Sequence, residues 1–386
     1  MTAYPTRKLG CILGLLSLAT AGCGLLPDRA LSGPANRVVF YGFNTQPRTR
    51  FGGYAAAIPG MTFLGRDLGS HNYYWPFFEK NGIVYTCQGG HIDVVHMRIG
   101  IDWTAYLSAK SYQHIMRKDR GFSCRMPVDR SRSYVEITYP PGWDYLSETD
   151  KSAIAEKVAL AIGPYLTFTM VTWHEVTTWY GYKSMAIPVE YDSAFSWEDS
   201  YSNLLGTIIG VQALQDPEHS YNKAVTLAID REMKKLGILP SARDARLASK
   251  SMKGQWYTGS FVLLFDMKKR NFDIGLDDGY VTPTLVPSLS QCPNAQPLSY
   301  PVPTLEVLSE YGFQLKHEIE PHEWEKGKIL RVAFGDKSRK RINPQIHMAT
   351  IMDHIQREAA ARYGPQYDPD NQPEEPHYVR TDRQPQ

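Results

Sequence analysis

No glycine-rich phosphate loop, Gly-x-Ser-x-Gly elbow or dinucleotide fingerprint occurs in the 386 residues. This removes the nucleotide-binding and serine-esterase readings that such motifs would carry. Charge of one sign is also lacking. The 42 basic and 40 acidic residues leave a formal net charge of +2, too balanced to point to nucleic acid or to an electrostatically held membrane face. Cysteine is scarce, and the spacing of the five present fits no zinc knuckle or redox motif. Cys87, Cys124 and Cys292 therefore read as structural, with one disulfide expected in an oxidising compartment and one thiol left over. The spacing does not choose the pair. No internal repeat is visible, and the apolar run at the N-terminus is far short of the roughly 20 residues that span a bilayer.

What that N-terminus does contain is an export signal. Arg7 and Lys8 precede the apolar run Cys11–Leu18, which ends at Thr20-Ala21-Gly22-Cys23. This is a positive region, a short apolar core and small residues ahead of a cysteine, in the order that lipoprotein signal peptides use. The competing reading is an ordinary cleavable signal peptide in which Cys23 is incidental. In the lipoprotein reading, residues 1–22 are removed, Cys23 carries the acyl chains and residues 23–36 form a tether. Several chains, each methylene contributing about 0.8 kcal/mol, would hold the protein stably on a membrane. Gly24 after the cysteine points to the outer membrane, with the domain facing the periplasm.

Residues 37–362 are expected to form a single large α+β domain with a mostly helical central core and flanking short strands. Strand-like runs occupy Val38–Gly42, Tyr134–Tyr139, Phe261–Phe265 and Ile329–Phe334. A first helix is expected from Ile92 to Leu107, entered through Gly89-Gly90. A second starts near Thr149, and a break or kink at Gly163-Pro164 is expected to give two helices. Ser196-Trp-Glu-Asp199 has capping-box spacing ahead of a third apolar helix. Further helices run from about His219 to Leu236 and from Pro344 to Ala361. From residue 363 to 386 the composition turns to Pro, Gln, Asp and Glu, and a disordered tail is expected.

Four strings, Tyr85–His96, Asp102–Leu107, Thr172–Gly181 and Ser196–Gly206, resemble in order and spacing the signature blocks of a bacterial lipoprotein family, domain-of-unknown-function family 4056. The resemblance spans about Phe77 to Leu236. It implies a lipoprotein and supplies no activity. The family pattern has an aromatic or aliphatic residue where this chain has His91, which sets His91 apart from any shared site.

The chemistry-bearing residues cluster in these same strings. Asp93 and His96 are three apart and are expected on one helical face, with Gly100 a turn further. His174 and Glu175 lie between Trp173 and Trp179, in an apolar setting where a carboxylate requires partners. The sharper expectation is convergence of Asp93, His96, His174 and Glu175 as a catalytic acid/base cluster. Alternatively His96, His174 and Glu175 form a site for a divalent metal such as zinc, bound across helices because Thr178 replaces the second histidine of His-Glu-x-x-His. Asn203 and Tyr180 are expected to contact substrate, whereas Glu198 and Asp199 read as helix-start residues. His317, His322, His347 and His354 read as surface residues. Two functions follow: a periplasm-facing hydrolase acting on an envelope polymer, or a noncatalytic envelope lipoprotein binding a protein, glycan or lipid partner. In the second, the same four residues serve stability.

Overall fold

The computed structural model describes residues 42–50, 62–127, 130–181, 193–258, 266–322, 325–371 and 379–380. The expected signal peptide and tether, and most of the expected strand-like runs at 38–42 and 261–265, lie outside these. The described chain is an α+β domain. Strands β1 (Thr62–Phe63), β2 (Gly82–Thr86) and β3 (Gly90–Asp93) form a sheet in that order, with β2 and β3 paired as an antiparallel hairpin. Gly90 takes φ +65° in the turn, where a Cβ would lie 2.3 Å from the Thr284 carbonyl oxygen. Pairing of Ile92 with Val84 keeps the chain extended as far as Asp93. Helix α1 (Val94–Met116) therefore starts two residues later than the apolar spacing predicts.

After the antiparallel strands β4 (Gly121–Arg125) and β5 (Arg132–Thr138) comes α2 (Glu148–Trp179), capped by Ser147. The expected break at Pro164 is absent, and the helix is continuous for 32 residues. A proline in a helix interior costs about 3 kcal/mol, which burial against α1 along most of the length offsets. Next to the proline, a Cβ on Gly163 would lie 1.9 Å from Ser108 Oγ of α1, so the two backbones nearly touch. Among the described helices α2 alone is long and apolar enough to span a bilayer. Yet 72% of its apolar window is buried within the protein, as befits the central core helix.

Helix α3 (Asp199–Leu214) packs on both α1 and α2. Its contact with α1 is set by glycine. A Cβ on Gly206 would lie 2.2 Å from the Met97 carbonyl oxygen and 2.9 Å from Gly100 Cα, and one on Gly100 would lie 2.7 Å from the Asn203 carbonyl oxygen. Only bare backbone allows this approach, which brings the start of α1 beside the start of α3. We therefore expect Gly206→Ala to destabilise the protein by about 1–3 kcal/mol, the usual range for overpacking, read from its denaturant midpoint.

Helices α4 (Tyr221–Lys235) and α5 (Ala242–Ser251) follow. Small pairings join β6 (Tyr257–Thr258) to β7 (Asp266–Met267) and β8 (Tyr280–Val281) to β9 (Leu298–Pro301). Beyond α6 (Glu306–Glu310), β10 (Gln314–Glu320) completes a β10-β5-β4 sheet. The run Ile329–Phe334, read as a strand, belongs instead to helix α7 (Lys326–Phe334). Only Ile329 and Leu330 within it are fully buried, and so short an apolar run does not distinguish strand from helix by period.

Helix α8 (Pro344–Tyr363) ends close to its expected boundary. The described residues continue past it into the stretch expected to be a disordered tail, of which 372–378 and 381–386 lie outside the described residues. Pro365–Tyr367 and Pro369–Asn371 form short 3-10 turns, and β11 (Val379–Arg380) pairs with β9. The tail is held by Tyr367, buried against Phe272, whose hydroxyl donates to the Lys268 carbonyl at 2.9 Å. Composition alone misses a single aromatic anchor. The disulfide joins Cys87 to Cys292, leaving Cys124 a buried thiol. His317, read as a surface residue, is buried on β10 with its ring edge-on to Tyr165.

Candidate functional site

The close packing of α1, α2 and α3 gathers titratable side chains from all three. Asp93 is not on the α1 face. It is the N-cap, with Oδ1 accepting from the backbone N–H of Val95 at 2.7 Å and of His96 at 3.2 Å. Its own N–H donates to Ser202 Oγ of α3 at 2.9 Å, tying the two helix starts together. One turn into α1, His96 Nδ1 lies 2.9 Å from Asp199 Oδ1 at the start of α3. From α2, Glu175 Oε2 accepts the Phe195 N–H at 3.0 Å, and Glu175 and His174 both feel the charges of His96 and Asp199. His96 thus lies in contact with Asp199 and within electrostatic influence of Asp93, His174 and Glu175, with Glu198 next to Asp199.

The members of the cluster differ in exposure. Asp93, Glu175, Glu198 and Asp199 are all buried, whereas the His96 side chain is 20% exposed and His174 is half-buried. The imidazoles are thus its most solvent-facing members. Four buried carboxyl groups around one imidazolium cannot all carry charge. Burial, then Asp199, pushes the Glu175 carboxyl up to about 8. Glu198 is driven well up by burial, Asp199 and Asp93, and burial raises Asp93 too. Ser196 gives independent geometric support. Its hydroxyl lies 2.9 Å from Glu198 Oε1 and 2.8 Å from Asp199 Oδ2, but it has one proton to give. If both contacts are hydrogen bonds, one carboxyl must carry a proton and donate back, and Glu198 is the group whose surroundings favour this.

The two histidines are driven apart. Burial opposes charge on His96, but Asp93 and Asp199 outweigh it and hold the imidazolium well above the usual 6.5. Burial, then the His96 charge, pushes His174 down to about 4. The surroundings thus favour the charged form of His96 and the neutral form of His174.

A metal set built from His96, His174 and Glu175 is not found. Among the described residues no group of three or more His, Cys, Asp or Glu side chains is disposed to hold a metal ion. His96 Nδ1 is engaged by Asp199, and Glu175 Oε2 by the Phe195 amide. Asn203 is buried one turn along α3 from Asp199. Tyr180 faces elsewhere, into an open groove of ≈ 950 Å³ that it lines with Trp179, Lys328, Arg331, His354 and Glu358. It is the C-cap of α2 and stacks on the His354 ring of α8. Sequence reasoning assigned Asp199 to capping alone. It does accept the Ser196 N–H at 2.8 Å, but its other oxygen holds His96, and the two roles share one spacing.

A second buried network was not anticipated. Glu79 pairs with Arg48 and Arg50, and Arg50 Nη2 lies 2.7 Å from Asp102 Oδ2. His71 Nε2 lies 3.0 Å from Asp102 Oδ1, and its Nδ1 lies 2.9 Å from Arg98 Nη1. The electrostatics are opposite to those of the first cluster. Burial would raise Glu79 and Asp102, yet the arginines and His71 hold both below the usual carboxylate range. Here three arginines surround two carboxylates, and all but Arg48 are almost wholly sealed from solvent.

The family of proteins of unknown function DUF4056 matches residues 74–283, more than half of the chain. The chain belongs to this family. All six members of the His96 cluster fall within the DUF4056 span, whereas Arg48, Arg50 and His71 of the second network precede it. No curated protein and no solved structure matches the chain. Membership in DUF4056 thus frames the site without naming a reaction, and function has to be argued from the residues.

Proposed function

We propose that this protein is a lipid-anchored hydrolase of the cell envelope, held on the outer membrane through Cys23 and acting on an envelope polymer by general acid/base catalysis. The observation that carries the reading is the pair His96 and His174, both partly exposed and pushed in opposite directions, His96 held by Asp199 at 2.9 Å. Titratable groups pushed apart in this way are how acid and base roles are divided at neutral pH. In the reaction His174 takes a proton from the attacking water and His96 gives one to the leaving group. Asp199 and Asp93 sustain the His96 charge. Glu175, neutral in its buried seat, keeps the net negative charge low and is a positioning residue. The anchor rests on Arg7, Lys8, the short apolar run and the small residues before Cys23.

The test is turnover by the purified, membrane-extracted protein on isolated peptidoglycan and on chromogenic esters and glycosides, at pH 6–8. Hydrolysis of one class is expected, and His174→Gln should lower kcat by about 10²-fold or more with an unchanged melting curve. No turnover of any class, or turnover indifferent to His174→Gln, would remove the hydrolase reading.

The groove at Trp179 and Tyr180 favours a second, noncatalytic reading. Its aromatic, cationic and carboxylate lining suits a glycan or peptide partner. Binding of peptidoglycan fragments that is lost in Lys328→Ala/Arg331→Ala and untouched by His174→Gln, without turnover, would favour it.

A further inference from the structure

The segment Trp75-Pro76-Phe77-Phe78 puts three large apolar side chains into solvent, Trp75 at 52%, Phe77 at 63% and Phe78 at 83% exposure. The Trp75 and Phe77 rings stack with centroids 6.4 Å apart and planes 19° from parallel. Phe78 takes φ +73°, a conformation that bulky residues rarely adopt. A strained backbone that holds an aromatic side chain out of the core is a reason to look for function.

The loop is held at its base. Ser70 N–H donates to the Phe78 carbonyl at 3.0 Å and Lys80 N–H to the Leu68 carbonyl at 3.0 Å, around a Gly69–Glu79 bridge. A Cβ on Gly69 would lie 2.0 Å from the Phe78 carbonyl oxygen. Asn72 Oδ1 accepts from the N–H groups of Tyr74 and Trp75, and Asn72 N–H donates to Glu79 Oε1 at 2.8 Å. Glu79 is the carboxylate clamped by Arg48 and Arg50, so the buried network fixes the foot of the aromatic loop.

The described chain begins beside this loop. The Tyr74 hydroxyl donates to the Gly42 carbonyl at 3.2 Å, and the Phe43 ring lies 4.8 Å from that of Tyr73. Eighteen residues separate Gly42 from Cys23. Such a tether reaches roughly 60 Å at full extension and about 25 Å as a flexible coil. An acylated Cys23 would thus hold this end of the domain, with its exposed aromatic side chains, near the lipid headgroups. Tryptophan and phenylalanine on a loop suit the boundary between headgroups and acyl chains.

We propose that Trp75, Phe77 and Phe78 form a membrane-interface loop that inserts into the bilayer carrying the Cys23 anchor and fixes the orientation of the domain. The inference rests on the lipoprotein reading given above. The test uses the full processed chain extracted from membranes and reconstituted in vesicles of phosphatidylethanolamine and phosphatidylglycerol with brominated acyl chains, which quench nearby tryptophan. Part of the emission should be quenched. Trp75→Phe should abolish that component, and Phe77→Ser/Phe78→Ser should weaken the loop's insertion by about tenfold or more while circular dichroism stays unchanged. An acylated protein whose Trp75 is not quenched would overturn the loop proposal, leave the anchor standing, and point to a protein partner for the patch. Quenching of Trp75 in a protein whose intact mass shows no acyl groups would support the loop and overturn the anchor. Absence of both would overturn both.

Discussion

Asp102→Asn is expected to cost the folded protein about 3–5 kcal/mol at pH 7, the range for removing one partner of a buried ion pair. Asp102 is fully buried between Arg50 and His71, and its loss leaves Arg48, Arg50 and Arg98 with Glu79 as the remaining carboxylate of the network. The penalty is chiefly that of stranded cations, since a buried guanidinium without its counter-charge has lost its hydration and gained nothing in return. The pH dependence follows from the depressed Asp102 pKa. Its stabilisation is fully present above the ordinary value of 3.8 and is lost as pH falls through the lower folded-state value. Urea unfolding of parent and variant should therefore differ most at neutral pH and converge in strong acid. Equal midpoints at pH 7 would show that the network does not stabilise the fold.

Glu175→Gln is expected to act in the opposite sense. The Glu175 carboxyl is buried and pushed up to about 8, against an ordinary 4.5. The folded state therefore binds its proton more tightly than the unfolded state does. Its favourable contribution is complete below pH 4.5 and is lost progressively as pH rises through 8. Glutamine keeps an oxygen for the Phe195 N–H and never ionises. At pH 5 the variant should match the parent, and at pH 9 it should be more stable by on the order of 3 kcal/mol. A variant less stable than the parent across that range would mean that Glu175 is an ionised structural partner of His96. Loss of turnover in a variant that folds better is the pattern of a site kept at the expense of stability.

The contrast between these two substitutions separates the buried clusters where composition cannot. Both contain histidine and carboxylates from apolar stretches. In one, the two carboxylates are held below their ordinary range by three arginines. In the other, three of the four are pushed up by burial and by one another, with the His96 charge opposing the shift of Asp93 and Glu175. Strongly perturbed groups beside partly exposed imidazoles are the reason the proposed activity is assigned to the latter cluster.

Much of the helical core was legible because Val95, Ile99, Trp103 and Leu107, or Ala153 to Trp179, repeat at helical spacing. His96 and His174 stand out in the sequence because each is polar within such a repeat, and in the fold the His96 charge acts on His174. Three things were not legible. Pro164 reads as a break, and only the glycine-tight contact of α2 with α1 shows why the helix continues. Asp199 carries a capping signal that conceals its contact with His96. The Arg50–Asp102 network joins residues 52 apart in sequence, with no periodicity to announce it.

The account depends most directly on the divided protonation of the two histidines. Selective ¹³C or ¹⁵N labelling of histidine and NMR titration from pH 3 to 9, with His96→Gln and His174→Gln used to assign the signals, measures it. His174 should stay neutral until about pH 4, while His96 stays protonated well past 6.5. Two imidazoles that both titrate near 6.5 would contradict the proposed acid and base roles.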